Sequence, residues 1–418
     1  MNRPKGTKDN YGELQIVRTY VEETIGMVAQ INGFNKIDTP IFERKEVYLR
    51  SVGETSDIVS KEMYTFVDKK NREMVLRPEG TAGTIRAIVE NKLFAKSLPI
   101  KLFYYGPMFR YERPQKGRQR QFTQFGIEML SDASPYADAE AILFAESILK
   151  TLNIKNKLLI NSLGDKNTRD KYSKALKTYF SKYKDKLTDD SIARLDKNPL
   201  RILDDKIDGK KDFVKKAPKI SDFYSKETKE YFDILVSFLE KMDINFEVDE
   251  TLVRGLDYYS DTSFEFVSIS GEAGSQDTLI GGGRYSNLVS QFGGPDLSGI
   301  GFGIGIERLV NELDFKKIIN ARVVVPDVFV LNISEEAQDA TLGIVHMLRK
   351  AGFITEWNQK PLKLQKAFTA SNKTNALIKV IAGIKELTEN KVNVKINGKQ
   401  ETVLLEELID YIDAKLVE

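Results

Sequence analysis

Arg110, Arg113, Lys116, Arg118 and Arg120 place five cations within eleven residues, opposed only by Glu112. Guanidinium forks match phosphate oxygens bidentately and stabilise charge developing on phosphorus without any proton transfer. The same run also suits an ordinary solvated hairpin tip. Upstream, RPEGT sets Glu79 and Thr81 beside Arg77. Downstream, Gln124 and Glu128 stand an even number of residues apart, so on a strand they share one face. Two carboxylates and two neutral polar groups suit an ammonium group and a small polar side chain, although a Glu on a sheet is often just solvent-exposed. RGLDYY, from Arg254 to Tyr259, and GGGRY, from Gly281 to Tyr285, add an arginine, tyrosines and glycines that admit a close ligand or form a tight turn.

Other chemistries are excluded by composition. The 418 residues include no cysteine and one histidine, His346. Disulfides, thiolate nucleophiles and His-rich zinc sites are therefore out of reach, and any Ser-His-Asp triad would depend on His346. Arginine, carboxylate, hydroxyl and backbone groups remain, with a hard oxygen-bound cation such as magnesium. No G-x-x-x-x-G-K-S/T loop occurs, so nucleotide, if bound, binds differently. Gly301, Gly303 and Gly305 follow a G-x-G-x-G spacing without a following βαβ unit, which is a poor dinucleotide fingerprint.

The elements that must position these groups are legible in outline. Hydrophobic residues at 41% and charged residues at 30% describe a globular protein, and the length favours two or three domains. Leu14, Val17, Val21, Ile25, Val28 and Ile31 mark an amphipathic helix ending near Gly33. FNKIDTPIFE reads as extended and, because of Pro40, as a sheet edge where a partner subunit could pair. KLFYYGPMFRYE and FTQFGIEML read as strands flanking the basic loop, followed by a helix from about Ala139 to Leu152. A Lys-rich helical stretch follows, with 19 basic against 13 acidic residues from Asp165 to Glu230, a net +6 in a chain of net +2. It could face phosphate or simply be a solvated face. LVRGLDYYSDTSFEFVSI, DTLIGGGRYSNLV and SGIGFGIGIERLVNEL return to strand character and then pass into a helix. Beyond about Asp314, alternating strands and helices, including one helix from about Glu335 to Ala351, suggest a separate small α/β domain. No run of 18 apolar residues and no N-terminal h-region appear, so a cytoplasmic protein is expected.

Together these segments resemble the histidyl-tRNA synthetases, a family of class II aminoacyl-tRNA synthetases, over nearly the whole chain. TPIFE is similar to class motif 1, FRYERPQKGRQRQFTQFGIE to motif 2 and GFGIGIERL to motif 3, in the family's order. LVRGLDYY, GGGRY and RLDKNPLRILD are similar to segments peculiar to the histidine enzymes. The resemblance implies an α/β (α+β) fold. It comprises a catalytic domain on an antiparallel sheet over about 1–320, a helical insertion at about 165–243, an anticodon-binding domain over 321–418, and a homodimer. The implied reaction joins L-histidine to ATP as histidyl-adenylate with release of pyrophosphate, then transfers the histidyl group to histidine tRNA.

By resemblance, Arg110 and Arg254 are the catalytic arginines that hold the α-phosphate, and Arg118 and Arg308 grip the distal phosphates with Mg2+, alongside Glu112. Glu79, Gly80, Thr81 and Gln124 surround the ammonium end of histidine, and Glu128, Tyr258, Tyr259 and Tyr285 its imidazole. Arg113 and Gln115 match positions that meet the tRNA acceptor end. No protein histidine is implied as a base, and His346 is expected to be a packing or surface residue. The chain departs from the family in two places: Ser286 and Asn287 stand where D-G often follows the R-Y pair, and IAGIKEL, Ile381 to Leu387, replaces a more usual I-G-E-x-E-L-like stretch. Competing readings are a non-charging histidine sensor that lacks the C-terminal domain, a tRNA sensor, and a synthetase for another amino acid, from which Glu128 and Tyr259 discriminate.

Overall fold

The computed structural model describes residues 1–52, 56, 58–115, 117–205, 207–253, 258–270 and 277–417. The chain divides into two compact units, Met1–Ile319 and Asn320–Glu418.

The first unit opens with helix α1 (Glu13–Ile31), which buries Val17, Val21, Ile25 and Val28 at three- and four-residue steps. The stretch read as one extended edge becomes two short strands in different sheets. Strand β1 (Asn35–Lys36) lies at the edge of the large sheet, and β2 (Phe42–Arg44) at the edge of a three-stranded sheet with β3 (Thr65–Val67) and β4 (Glu73–Leu76), in the order β2-β4-β3. Pro40, which has no amide to donate, sits in the connection between them. Helices α2 (Lys45–Val52) and α3 (Thr81–Glu90) flank the small sheet.

The large sheet adds β5 (Ile100–Phe109), β6 (Gln121–Ser131), β7 (Asn156–Ser162), β8 (Phe246–Val248), β9 (Ser260–Ser268), β10 (Thr278–Tyr285) and β11 (Ser298–Gly305). Its order is β1-β5-β6-β11-β10-β9-β7-β8, antiparallel throughout its centre, with a parallel pair at each edge. Helix α4 (Pro135–Thr151) starts four residues earlier than the periodicity suggests, because Ser134 caps it by accepting from the Tyr136 amide at 3.2 Å and Pro135 pre-sets its first turn. With α1, it covers one face of the sheet, where Phe125, Ile127, Phe264, Phe266, Phe302 and Ile304 pack. Side chains alternate across a strand, so Gln124, Glu128, Gly301 and Gly303 fall on the other face. One register builds both surfaces: Glu128 stands opposite Gly301, and Gly126 lies between Tyr104 and Gly303.

The Lys-rich stretch is helical, with α5 (Lys166–Ser181), α6 (Asp189–Lys197), α7 (Asp212–Lys215) and α8 (Lys226–Lys241). It has a small core of its own around Tyr172, Leu176, Phe180, Leu195 and Ile202. Phe232, Leu235 and Leu239 of α8 join the main core instead, tying this module to the sheet.

The second unit is a five-stranded sheet of β12 (Val328–Leu331), β13 (Thr355–Trp357), β14 (Ile378–Ile381), β15 (Lys391–Ile396) and β16 (Lys399–Leu404). The order is β13-β12-β14-β15-β16, parallel for the first three strands and antiparallel for the rest. Val330, Val345, Leu348, Val380 and Val394 fill its core. The helix expected from about Glu335 spans Gln338–Lys350, and His346 is exposed on it. Among the described residues, no helix is long and apolar enough to cross a membrane.

Candidate active site

The polar face of the large sheet forms the floor of a cavity of about 960 Å3. Arg110, Glu112, Arg118 and Arg308 line one part of it, and Glu79, Thr81, Tyr104, Gln124, Glu128, Tyr258, Tyr259 and Tyr285 another.

The glycines of β11 explain how so many side chains fit. A Cβ at Gly303 would stand 2.7 Å from Gln124 Nε2, while Cβ atoms at Gly301 and Gly299 would collide with Glu128 and Tyr285. Gly299, Gly301 and Gly303 therefore form a strip cleared for the site's own side chains, while a Cβ at Gly305 would meet nothing nearer than 4.0 Å. Gly126 and Gly80 do the same for Tyr104, whose ring occupies the space a Cβ would take at either position.

Glu79 ends the turn before α3. Its Oε2 accepts from the Thr81 amide at 2.6 Å and its Oε1 from the Ala82 amide at 3.0 Å, at the helix N-terminus. Burial pushes its carboxyl up from the ordinary 4.5, against those two amides. Gln124 Oε1 accepts from the Gly80 amide at 3.1 Å, which joins this turn to β6. Glu128 is 1% exposed, accepts from Tyr285 Oη at 2.6 Å and faces Tyr104 Oη at 3.5 Å. Burial raises its carboxyl to about 8, and those phenols oppose the rise. Burial, together with the charges of Glu128 and Glu79, also holds Tyr104 far above its ordinary value, so its phenol stays a donor. The Tyr258 ring lies 4.6 Å from Tyr259 and 5.8 Å from Tyr285, completing an aromatic wall.

The cationic part is built differently. Arg110 follows the last residue of β5. Its Nε donates to Pro78 O at 2.9 Å and its guanidinium lies 5.2 Å from the Phe122 ring centroid. Arg118 pairs with Glu112 at 2.8 Å. Arg308 donates to Thr278 O at 2.8 Å and to Gly117 O at 3.4 Å, bridging the short helix Ile306–Asn311 that carries it, the loop and β10. Burial, then the charges of Arg118 and Arg110, lowers the Arg308 pKa. Three guanidiniums held close against their own repulsion make this part of the cavity strongly cationic, which suits an anion.

The expected residues fall into three groups. Those around Glu79, Gln124 and Glu128, together with the three arginines, meet in one cavity. Arg113 and Gln115 lie exposed on the loop and do not line it. Arg254 and Lys116 lie outside the described residues. Ser286 holds the turn after Tyr285 through a 2.7 Å hydroxyl contact with Ser260, and Asn287 O accepts from the Gln291 amide at 3.0 Å. Arg284 of GGGRY points the other way, into a buried pair with Asp138, and also donates to Ser298 Oγ at 2.7 Å.

Sequence reasoning missed several lining residues as site candidates. Tyr104 is one, and its signal was the glycine opposite it on β6. Others come from the helical module, whose Asp189, Asp190, Arg194, Arg201, Asp204 and Asp205 reach the cavity; Arg194, Arg201 and Asp204 belong to the family-like RLDKNPLRILD stretch, to which the sequence alone assigns no place in the site. No cluster of three or more His, Asp or Glu able to hold a metal exists among the described residues. On the Arg308 side, Glu265 and Asp277 join Glu112 as acidic lining residues.

A family model described as Histidyl-tRNA synthetase matches residues 13–309, and one described as Anticodon binding domain matches residues 327–415. A histidine–tRNA ligase of Malacoplasma penetrans is 46% identical over 94% of this chain and 93% of its own length. The Bacillus subtilis histidine–tRNA ligase is 43% identical over 99% of this chain and 98% of its own. Among solved structures, the apo histidyl-tRNA synthetase of S. aureus superposes with a TM-score of 0.79 at 32% identity, covering 99% of both chains.

Proposed function

The chain belongs to the histidyl-tRNA synthetase family, and from that premise we propose how its cavity carries out the family's reaction. The activity is histidine–tRNA ligation. Histidine carboxylate attacks the α-phosphorus of ATP, forming a carboxyl–phosphate anhydride as pyrophosphate leaves. The terminal ribose hydroxyl of the tRNA then attacks the carbonyl, and AMP leaves.

The observation that carries the residue assignment is the partition of one cavity into a cationic end and a dicarboxylate end. Arg110 binds the α-phosphate and the histidine carboxylate together, so that two anions meet at reacting distance instead of repelling each other. Arg254 shares that task by resemblance. Arg118 and Arg308 take the β- and γ-phosphates, and Glu112 orients Arg118. Glu79, with Thr81, Gln124 and the Gly80 turn, receives the ammonium group. Glu128, Tyr259 and Tyr285 read the imidazole, with Tyr258 packed behind them. Because these partners are buried, a side chain without matching nitrogens leaves them unpaired, which supports discrimination of roughly 10⁴-fold or more. No protein base is required, since a phosphate oxygen of the adenylate can take the proton in the transfer step.

Magnesium fits as an ion held mainly by the ATP phosphates, because the carboxylates lining this part of the cavity, Glu112, Glu265 and Asp277, form no metal-holding cluster among the described residues. When bound, it supplies neutralisation of the distal phosphates. Arg113 and Gln115, exposed on the loop, are assigned to the acceptor end of the tRNA, the +6 helical module to its phosphates, and the unit Asn320–Glu418 to the anticodon. Homodimerisation, in the cytoplasm, is proposed through the small sheet, where Ile41, Phe42, Phe66 and Val67 are exposed.

Glu128→Gln tests the assignment. The account expects histidine-dependent exchange to collapse while ATP binding is kept. Equal loss of both would remove Glu128 from the amino-acid pocket.

A further inference from the structure

The segment before α1 contributes almost nothing to the core. Met1 to Lys5 and Lys8 to Tyr11 are exposed, and Arg3 pairs with Asp9 at 3.6 Å on the surface. Yet it contains a built turn. The amide and hydroxyl of Thr7 both donate to Pro4 O, at 3.2 and 2.8 Å. Gly6, inside that turn, has φ +85°, a conformation that L side chains adopt only under strain.

The Gly6 carbonyl accepts from the Arg120 amide at 2.7 Å and from the Gln121 amide at 3.3 Å. The Arg120 carbonyl in turn accepts from the Arg110 amide at 2.9 Å. Gly6 thus lies as a third chain beside the two that root the cationic loop, one hydrogen bond removed from the backbone of Arg110. The Arg120 side chain is fixed as well. Its guanidinium sits 3.9 Å from the Tyr111 ring centroid, and its Nε donates to Glu112 O at 3.2 Å. A Cβ at Gly6 would stand 2.7 Å from Arg120 Cγ, so only glycine allows this approach.

We propose that the Pro4–Thr7 turn is a positioning clip for the phosphate-handling loop, holding Arg120 and, through it, the backbone of Arg110. The inference rests on the assignment of Arg110 to the α-phosphate. The clip acts through Arg110 and not on substrate, so its loss affects the geometry of adenylate formation more than amino-acid binding. An ordered segment that buries little apolar surface must repay its conformational entropy elsewhere, and its few strong contacts converge on the loop root.

The test is histidine-dependent pyrophosphate exchange by the full chain, run with Gly6→Ala, Thr7→Val, Thr7→Ser, Arg110→Ala and a Gly26→Ala control. Gly26 lies in α1 with open space around its Cβ position. Gly6→Ala is expected to lower kcat about 10- to 100-fold, the scale of a misplaced reacting group. The KM for histidine should stay within about twofold and the melting temperature should be retained. Thr7→Val should show a smaller loss of the same kind, Thr7→Ser should restore it, and Gly26→Ala should match the wild type. If Gly6→Ala does not fold, Thr7→Val against Thr7→Ser decides. Unchanged kcat in both variants while Arg110→Ala is inactive overturns the clip alone. Loss shared by kcat, histidine KM and melting temperature also overturns it, as a stability effect. Full activity in Arg110→Ala overturns both the clip and the assignment beneath it.

Discussion

Glu128→Gln should stabilise the protein at alkaline pH while destroying its use of histidine. The wild-type carboxyl is 1% exposed and is raised from 4.5 to about 8 by burial. Below pH 4.5 both folded and unfolded chains hold the proton. Between 4.5 and about 8 the unfolded chain releases it and the folded chain keeps it, so the stability this group contributes is lost as pH rises and levels off above about 8. The span between those values corresponds to on the order of 5 kcal/mol. Glutamine cannot ionise and still accepts from Tyr285 Oη, so its stability carries no such slope. Urea unfolding of both proteins from about pH 5 to about pH 8.5 should show the variant gaining on the wild type by several kcal/mol across the range. Added histidine should stabilise the wild type and leave the variant unmoved. Parallel pH curves, or a variant that loses stability most at high pH, would refute the reasoning.

Arg110→Ala should lower exchange with histidine by about 10³-fold or more, while urea unfolding should show a loss of only about 1–2 kcal/mol from its contacts with Pro78 O and the Phe122 ring. Gly301→Ala pushes a methyl group onto Glu128 and the Ile127 carbonyl; histidine KM should rise and stability should fall by about 1–3 kcal/mol, checked by kinetics and urea unfolding. Asp138→Asn leaves the Arg284 guanidinium buried without its carboxylate, and a loss of about 3–5 kcal/mol is expected in urea unfolding. Charge reversal at several lysines of the helical module should flatten the salt dependence of tRNA binding, and an unchanged slope would remove that module from the phosphate contacts.

The local signals read well from the sequence where the chemistry is carried by residue type. Gln124 and Glu128 share a face because strand parity is fixed at two, and β6 obeys it. Arg110, Arg118 and the RPEGT turn were conspicuous because charge and glycine stand out from an apolar background. Tyr104 was not, because it sits beside Tyr105 in an aromatic run, and only the pairing of β5 with β6 decides which of the two enters the cavity. Gly126 opposite it carried that information, but only once the register was known. The β11 glycines looked like a faint dinucleotide fingerprint because spacing alone does not say what a glycine makes room for. Arg194, Arg201 and Asp204 stand in the family-like RLDKNPLRILD stretch, but their reach into the cavity from a module inserted between strands is a long-range placement that no periodicity encodes. The split of FNKIDTPIFE into two sheets had a visible cause in Pro40, whose missing amide marks a break as readily as an edge.

Pyrophosphate exchange into ATP with each of the twenty amino acids, without tRNA, tests the central claim most directly. The cavity described here, with a cationic end for ATP and a buried dicarboxylate end for histidine, predicts exchange with histidine alone. Exchange with a different amino acid, or none at all in folded protein that still binds ATP, would contradict it.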